Sequence, residues 1–243
     1  MSRMRNIKCF EDTVKSFKYY KNPKTIKIKE KANIDDFNVY DNTEIKVINQ
    51  DCVDVAKKYS KIGKVCLLNM ASDICPGGGV KNGSNAQEET LCRRSNLYNS
   101  LSSVEYPLEE FEGIMSYNVT FFKDSVDNKY QLYDQDFSCN VVSVAAYRIN
   151  KNKMTESQIN GTKTKIINII LFSAYSNSDI LILSAFGCGA FHNPPEIIAD
   201  IFYDVLVNDG YMKYFKQIIF AIIDDHNAGK DGNFLPFYKK FNN

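Results

Sequence analysis

The residues with the clearest capacity for chemistry are two adjacent glutamates, Glu88 and Glu89, in the segment Q-E-E. Carboxyl side chains are among the groups that transfer protons in catalysis, but two neighbouring carboxylates repel each other, so their placement together needs a reason. Seven residues separate this segment from three consecutive glycines, Gly77, Gly78 and Gly79. The three glycines can be merely a tight, flexible turn. Because glycine runs cost backbone entropy, the alternative is that they serve a phosphorylated ligand that approaches the main chain closely.

A structural interpretation accounts for part of the same segment. Ser84 and Gln87 have the spacing of a capping box, and glutamates in the first turn of a helix favourably oppose its dipole. This interpretation explains where a helix begins, but it leaves the glycines unexplained. The sequence alone keeps both interpretations open.

A second glycine segment, F-G-C-G-A-F, spans residues 186–191. Two loops without side chains at the ends of two strands form a cleft in which main-chain N–H groups can reach phosphate oxygens. Neither segment has the Gly-Lys-Ser/Thr ending of a P-loop or the full G-x-G-x-x-G spacing, which disfavours a P-loop nucleotidase and a nicotinamide dehydrogenase. Phe191 at the rim of this loop can pack against a ribose or a base, or it can face the core.

Two other chemical interpretations are weaker. Cys188 has His192 four residues away, but Pro194 and Pro195 follow and no acid is present to orient the imidazole, which disfavours a nucleophilic cysteine.

The segment D-D-H-N-A-G-K-D-G-N, residues 224–233, could ligate a divalent metal, although such runs are more often solvent loops. Seven cysteines without C-x-x-C spacing and two histidines also disfavour structural zinc. We therefore expect no metal and no cofactor.

The composition indicates one soluble globular domain. The chain has 243 residues, of which 44% are hydrophobic and 24% charged, with a formal net charge of +1. This balance disfavours a broad basic surface for nucleic acid. An apolar run of about 18 residues is missing, and the N-terminus lacks the pattern of a signal peptide. We expect an intracellular monomer, cytoplasmic or nucleocytoplasmic, with residues 1–243 as a single domain and residues 1–40 as an N-terminal extension that begins with an amphipathic helix.

Continuous apolar runs alternate with helical patterns along the rest of the chain. This alternation predicts an α/β fold whose parallel or mixed sheet is covered on both faces, with ligands beyond the carboxyl ends of its strands. Both glycine segments follow such a run. The predicted strands are 45–49, 65–70, 140–147, 179–186 and 217–224, and the predicted helices are 51–62, 86–101, 162–177 and 194–208.

The spacing of P-G-G-G and Q-E-E resembles the signature of poly(ADP-ribose) glycohydrolases. The longer string L-N-M-A-S-D-I-C-P-G-G-G-V-K-N-G-S-N-A-Q-E-E-T-L-C-R-R-S-N-L-Y is similar to the bacterial-type (microbial) branch of that family. The segments Y-N-V-T-F-F-K-D, V-V-S-V-A-A-Y and L-I-L-S-A-F-G-C-G-A-F-H-N-P-P extend the resemblance over about Ile45 to Asp224. It implies a three-layer α/β/α macrodomain-like sandwich with a mixed central sheet.

The resemblance also implies roles for individual residues, and it implies that the site uses no metal. Glu89 would be the catalytic acid and Glu88 would bind and orient the ribose at the scissile bond. Phe191 would lie against the ribose-adenine side of the ligand. The departures are Tyr147-Arg148, where the family often has Pro-Asn, and Lys123, where arginine is common. Main-chain groups of Gly77, Gly78, Gly79, Gly187, Cys188, Gly189 and Ala190 would hold the diphosphate, and Asn69, Val80 and Gln87 complete the expected ligand-binding set.

The function implied is hydrolysis of ribose-ribose O-glycosidic bonds of poly(ADP-ribose), which releases ADP-ribose. The expected partners are poly(ADP-ribose) and ADP-ribosylated proteins as substrates, with neither a membrane nor a specific nucleic-acid sequence. Two alternatives remain: an ADP-ribose-binding module without activity, against which the intact glutamates argue, and a hydrolase of another ADP-ribosyl linkage, to protein or to nucleic acid.

Overall fold

A computed structural model describes residues 3–29, 37–149, 153–224 and 232–242. Within these ranges the strands are β1 (Lys24–Ile28), β2 (Glu44–Ile48), β3 (Val65–Met70), β4 (Gly113–Lys123), β5 (Leu132–Val144), β6 (Ile180–Leu183) and β7 (Gln217–Ala221). The helices are α1 (Arg3–Ser16), α2 (Cys52–Tyr59), α3 (Gln87–Arg94), α4 (Leu97–Leu101), α5 (Glu156–Tyr175), α6 (Pro195–Tyr203) and α7 (Phe234–Phe241). None of the helices in these ranges is long and apolar enough to cross a membrane.

The strands form one mixed sheet in the order β1-β4-β5-β3-β6-β7-β2. The pairs β1-β4 and β4-β5 are antiparallel, and the remaining neighbours are parallel. The parallel region places the carboxyl ends of β5, β3, β6, β7 and β2 along one edge. The prediction of a mixed sheet is therefore confirmed.

Two hydrophobic clusters cover opposite faces of this sheet. Successive residues of β3 point to opposite faces, so Leu67 packs with α2, α3 and α4 whereas Leu68 packs with α5 and α6. Both leucines are fully buried. The arrangement confirms the three-layer α/β/α prediction, and it explains why the central strands read as continuous apolar runs.

The N-terminal segment contains the expected helix, but also a strand that the sequence did not predict. In α1 the buried side chains are Asn6, Phe10 and Thr13, whereas the apolar Val14 is 40% exposed. The helix is thus anchored largely by polar groups. Strand β1 pairs antiparallel with β4 and forms an edge of the sheet.

The predicted helix 86–101 is wrong in one respect, because it divides at Ser95. That residue has extended backbone geometry and pairs with Phe121 as an isolated antiparallel bridge. Its hydroxyl donates to the Leu91 carbonyl and accepts from the Leu97 N–H. Tertiary pairing with β4 thus ends α3 and allows α4 to begin in a new direction.

Candidate active site

A cleft of about 360 Å³ lies at the edge where the parallel strands end. Residues that follow β2, β3, β6 and β7 line it: Asp51, Ala71, Ala185 and Ile222. Its position agrees with the rule that open α/β sheets bind ligands beyond the carboxyl ends of their strands. Of the residues predicted from the sequence, the cleft brings together Gln87, Gly187, Gly189, Ala190 and Phe191.

The second glycine loop has main-chain donors available to a ligand. Gly187 has a φ of +76°, a left-handed conformation that favours glycine, and its turn lets the Cys188 N–H donate to the Ala185 carbonyl. The described hydrogen bonds include none from the N–H groups of Gly187, Gly189, Ala190 and Phe191. Successive N–H groups without partners form the kind of concavity that binds anions.

Asn193 fixes this loop, although no local sequence pattern indicates its role. The side chain is 2% exposed, and its Nδ2 atom donates to the carbonyls of Tyr147 at 2.8 Å and Gly187 at 2.9 Å. One amide therefore joins the segment that follows β5 to the start of the loop. A β-carbon on Gly187 would lie 2.5 Å from this nitrogen, so glycine is needed there for space as well.

The triple-glycine loop lies directly against both glutamate carboxylates. The Gly79 N–H donates to Oε1 of Glu89 at 2.8 Å. Gly78 has a φ of +53°, and a β-carbon on it would lie 2.8 Å from Oε1 of Glu89 and 3.0 Å from Oε2 of Glu88. The two motifs, separated by seven residues in sequence, thus form one local structure.

Glu89 also caps the start of α3, which begins at Gln87. Its Oε2 atom accepts from the Ala86 N–H at 2.9 Å. The predicted capping box of Ser84 and Gln87 is therefore wrong. The Gln87 side chain instead accepts from the Met70 N–H at 2.8 Å and donates to the Leu68 carbonyl at 2.7 Å, which ties the start of α3 to β3.

Glu88 is buried in a polar environment beside β3. Its Oε2 atom accepts from the Ser72 N–H at 2.8 Å, and Oε1 accepts from Nδ2 of Asn69 at 3.2 Å. Burial raises the pKa of Glu88 to about 8, and the charge of Glu89 adds to this rise, whereas the hydrogen bonds from Ser72 and Asn69 oppose it. Glu88 therefore retains a proton near neutral pH.

Several predicted ligand-binding residues do not line the cleft itself. Glu88 and Glu89 are 3% and 7% exposed and adjoin the cleft through Ala86 and Gln87, which do line it. The Val80 side chain belongs to the hydrophobic core. The remaining predicted residues outside the lining are Asn69, Gly77, Gly78, Gly79 and Cys188.

The structure gives the Cys188 thiol no nucleophilic arrangement. It is buried, and burial raises its pKa far above the ordinary value. Its described hydrogen bond is to the Phe186 carbonyl at 3.8 Å, and the neighbouring His192 is exposed. The interpretation that the sequence disfavoured thus gains no support from the geometry.

The described residues contain no group of three or more His, Cys, Asp or Glu side chains that could hold a metal. Most of the acidic segment 224–233 lies outside the described residues, as positions 225–231. Asp224 at its start accepts from the N–H groups of Asn233 and Phe234, so it serves the beginning of α7.

Two fully buried arginines, Arg93 and Arg94, support the site from behind, and neither was predicted from the sequence. Arg93 donates to the Ser84 carbonyl at 2.7 Å and to Oδ1 of Asn85 at 2.8 Å, which fixes the loop that leads into α3. Arg94 pairs with Asp51 at 2.6 Å and Asp54 at 2.9 Å. Paired basic residues near the end of a helix usually indicate a solvated face, so their spacing gave no signal of burial.

Helix α1 holds the same loop from its other side. Nδ2 of Asn6 donates to the Gly83 carbonyl at 3.1 Å, and Thr13 donates to the Arg93 carbonyl at 2.7 Å. Lys123 donates to Thr13 at 2.8 Å. Lys123 therefore contacts α1 and is not among the residues that line the cleft. The lysine at this position, where the resembling family commonly has arginine, thus concerns the packing of α1.

Comparison with known families and structures agrees with this architecture. The family model described as "Microbial-type PARG, catalytic domain" matches residues 3–124, which is half of the 243-residue chain. None of the curated proteins matches. The match begins in α1 and includes both the triple-glycine loop and α3.

Solved structures of poly(ADP-ribose) glycohydrolase (PARG) resemble the fold along most of the chain. The enzyme from Thermomonospora curvata is 22% identical, with a TM-score of 0.82, and the alignment covers 97% of this chain and 99% of that one. Its complex with the inhibitor ADP-HPD gives the same values. The Deinococcus radiodurans enzyme in complex with ADP-ribose is 25% identical, with a TM-score of 0.71 and coverage of 82% and 84%.

Proposed function

Because this chain belongs to the microbial-type poly(ADP-ribose) glycohydrolase family, we propose that it hydrolyses ribose-ribose O-glycosidic bonds of poly(ADP-ribose) and releases ADP-ribose. The observation that carries the proposal is the contact of Gly78 and Gly79 with the carboxyl groups of Glu88 and Glu89, which adjoin the cleft through Ala86 and Gln87. We propose that this loop, which carries no side chains, lies beside the ribose at the two adjacent carboxyl groups. Such a pair is what glycoside hydrolysis requires.

In the proposed reaction Glu89 is the general acid. It gives its proton to the oxygen of the leaving ribose as the bond between that oxygen and the anomeric carbon breaks. Water then adds to the oxocarbenium-like carbon and returns a proton to the carboxylate. The N–H groups of Gly79 and Ala86 hold the two Glu89 oxygens, which fixes the orientation of the carboxyl group.

Glu88 is proposed to bind and orient the ribose at the scissile bond. Its pKa of about 8 means that this carboxyl group carries a proton near neutral pH, so it can donate a hydrogen bond to a ribose hydroxyl oxygen. Hydrogen bonds from Ser72 and Asn69 fix its orientation. A neutral Glu88 also places no negative charge beside the Glu89 carboxyl group.

The rest of the ligand is proposed to extend from the glutamates along the cleft. The free N–H groups of the second glycine loop would bind the diphosphate, together with the triple-glycine loop, and Phe191 would contact the ribose-adenine side. Support comes from the ADP-ribose complex of the D. radiodurans enzyme and the inhibitor complex of the T. curvata enzyme.

We also propose that the whole chain, including residues 1–40, forms a single domain of macrodomain type. We propose that this domain is an intracellular monomer and that it acts also on ADP-ribosylated proteins.

One assay separates the proposal from its alternatives. The purified protein is incubated with poly(ADP-ribose) and, separately, with mono-ADP-ribosylated protein, and products are identified by mass spectrometry. Release of ADP-ribose from the polymer supports the proposal. Release from the modified protein alone would indicate a different linkage, and ADP-ribose binding without release from either substrate would indicate a binding module.

A further inference from the structure

The cleft that we propose for a diphosphate has an acidic lining. Its described lining residues include three aspartates, Asp51, Asp54 and Asp127, and neither a lysine nor an arginine. Arg94 lies behind the lining and pairs with Asp51 and Asp54. A ligand with two phosphate charges therefore meets three aspartates and one buried cation, and main-chain N–H groups supply dipoles but no full charge.

Arg148 is an exposed basic residue whose side chain contacts this lining. Its guanidinium carbon lies 4.0 Å from the centroid of the Phe191 ring, and Phe191 lines the cleft. The neighbouring residues are hydrogen-bonded to the second glycine loop: the Ile149 N–H donates to the Phe191 carbonyl, and the Tyr147 carbonyl accepts from Asn193. The backbone on both sides of Arg148 is thus held against the loop.

The charge of Arg148 is not used elsewhere in the described part of the chain. The side chain is exposed, and none of the described ion pairs or side-chain hydrogen bonds involves it. A guanidinium group stacked on an aromatic ring keeps its N–H groups at the edge, where they can bind phosphate oxygens in a bidentate manner. Because the stacked side chain already has few rotamers, it loses little conformational entropy when a ligand binds.

We propose that Arg148 is the cationic part of the diphosphate site, where its guanidinium group binds phosphate oxygens beside the N–H groups of Gly189, Ala190 and Phe191. This inference rests on the proposed function, because it assumes that the cleft binds ADP-ribose. Arg148 then favours phosphorylated ligands over the bare nucleoside. It also offsets the repulsion between the diphosphate and the aspartates of the lining.

The test compares Arg148→Gln with Arg5→Gln, a matched change at an exposed arginine of α1. Calorimetry measures binding of ADP-ribose and of adenosine at low and at high salt concentration. We expect Arg148→Gln to weaken ADP-ribose binding by about tenfold at low salt, the low end for a hydrogen bond to a charged group. The difference from wild type should shrink at high salt, because salt screens the charge. Arg5→Gln should bind as wild type does.

Adenosine distinguishes a charge effect from lost packing on Phe191. If Arg148 acts on phosphate, adenosine binding is the same in wild type and Arg148→Gln, and Arg148→Lys recovers part of the ADP-ribose affinity. Unchanged ADP-ribose affinity in Arg148→Gln, or an equal loss for adenosine, would overturn the inference while the proposed function stands. A wild-type protein that does not bind ADP-ribose would overturn both.

Discussion

Gly79 and Glu89 are joined by a hydrogen bond of 2.8 Å from the main-chain N–H to Oε1 of the carboxylate. Because Ala86 donates to the other oxygen of the same carboxylate, Glu89 links the triple-glycine loop to the start of α3. The proposed acid is therefore positioned by backbone groups rather than by other side chains. Changes at the loop should consequently alter catalysis as well as ligand binding.

Replacement of the proposed acid tests its role directly. Glu89→Gln keeps the size of the side chain and one acceptor oxygen, but it removes the transferable proton. We expect turnover of poly(ADP-ribose) to fall by at least about 100-fold, the low end of general acid contributions, with ADP-ribose affinity largely retained. Steady-state kinetics and calorimetry on the folded variant measure both quantities.

The matched control for this change is Glu156→Gln, since Glu156 is an exposed acid in the first turn of α5. Loss of a first-turn charge there should cost a few tenths of a kcal/mol in the free energy of unfolding, with unchanged turnover. If Glu89→Gln also retained turnover close to wild type, an ADP-ribose-binding module would become the better account of the chain.

Gly78 provides a test of the contact between the loop and the two carboxylates. Gly78→Ala places a methyl group where Oε1 of Glu89 would be 2.8 Å and Oε2 of Glu88 3.0 Å away, so we expect lower turnover and weaker ADP-ribose binding. Gly210→Ala is the control, because Gly210 also has a positive φ of 75° but has no atom within 4 Å of the added carbon. Thermal melts correct both variants for backbone strain.

The comparison depends on the difference between these two glycines. Both alanine variants should lose about 1–2 kcal/mol of stability from the left-handed backbone. Only Gly78→Ala should lose activity beyond what its folded fraction explains. Equal activity losses in the two variants would remove the triple-glycine loop from the site.

Much of the fold could be predicted because its central strands are buried on both faces. The segments V-C-L-L-N-M and I-L-I-L are continuous apolar runs and became β3 and β6. Strand β1, K-T-I-K-I, was missed because it is an edge strand whose polar residues resemble a solvated loop. The division of the predicted helix at Ser95 was missed because it depends on pairing with Phe121, far away in sequence.

The candidate site shows the same distinction. The proximity of the glycines to Glu88 and Glu89 is a short-range relation, and the sequence motif predicted it. The roles of Gln87 and Asn193 depend on carbonyl and N–H groups of other strands and loops, which no local pattern reveals. The sequence likewise gave no signal for Arg93, whose burial results from the packing of α1 and the 84–85 loop.

Asn193 should control ligand affinity through the second glycine loop. Asn193→Ala removes donors to the carbonyls of Gly187 and Tyr147. We expect a loss of about 1–3 kcal/mol in the free energy of unfolding, because two buried acceptors lose a partner, and ADP-ribose binding weakened by about tenfold. Asn208→Ala, at an exposed asparagine five residues beyond the end of α6, is the control. Unchanged affinity in Asn193→Ala would show that the loop keeps its shape without this amide.

Metal removal should leave recognition intact. The groups proposed to bind ADP-ribose are main-chain N–H groups, the Arg148 guanidinium group, two glutamates and an aromatic ring, none of which needs a metal ion to act. Calorimetry with ADP-ribose should therefore give the same affinity with and without EDTA, and turnover should follow the same pattern. Loss of either property in EDTA would require a bound metal and would direct attention to residues 224–233.

Glu88 should make the stability of the protein depend on pH. Its folded-state pKa of about 8 lies above the ordinary 4.5, so the folded state binds more protons than the unfolded state between these values, and stability falls as pH rises through that range. At about 1.4 kcal/mol per pH unit, the effect reaches several kcal/mol at most. Glu88→Gln removes this contribution, and Asn69, whose Oδ1 atom has no described partner, can turn to accept from the new amide.

The measurement is the free energy of unfolding by urea at pH values from 5 to 9 for wild type, Glu88→Gln and the exposed control Glu156→Gln. Relative to wild type, Glu88→Gln should gain stability steadily as pH rises and level off above about pH 8, because only wild type must ionise a buried carboxyl group. Glu156→Gln should run parallel to wild type. ADP-ribose binding should be weaker in Glu88→Gln at every pH, since its proposed task is to hold ribose hydroxyls. A constant difference in stability between Glu88→Gln and wild type across this range would mean that the Glu88 carboxyl group ionises normally in the folded protein, and its role as a neutral hydrogen-bond donor would then be wrong.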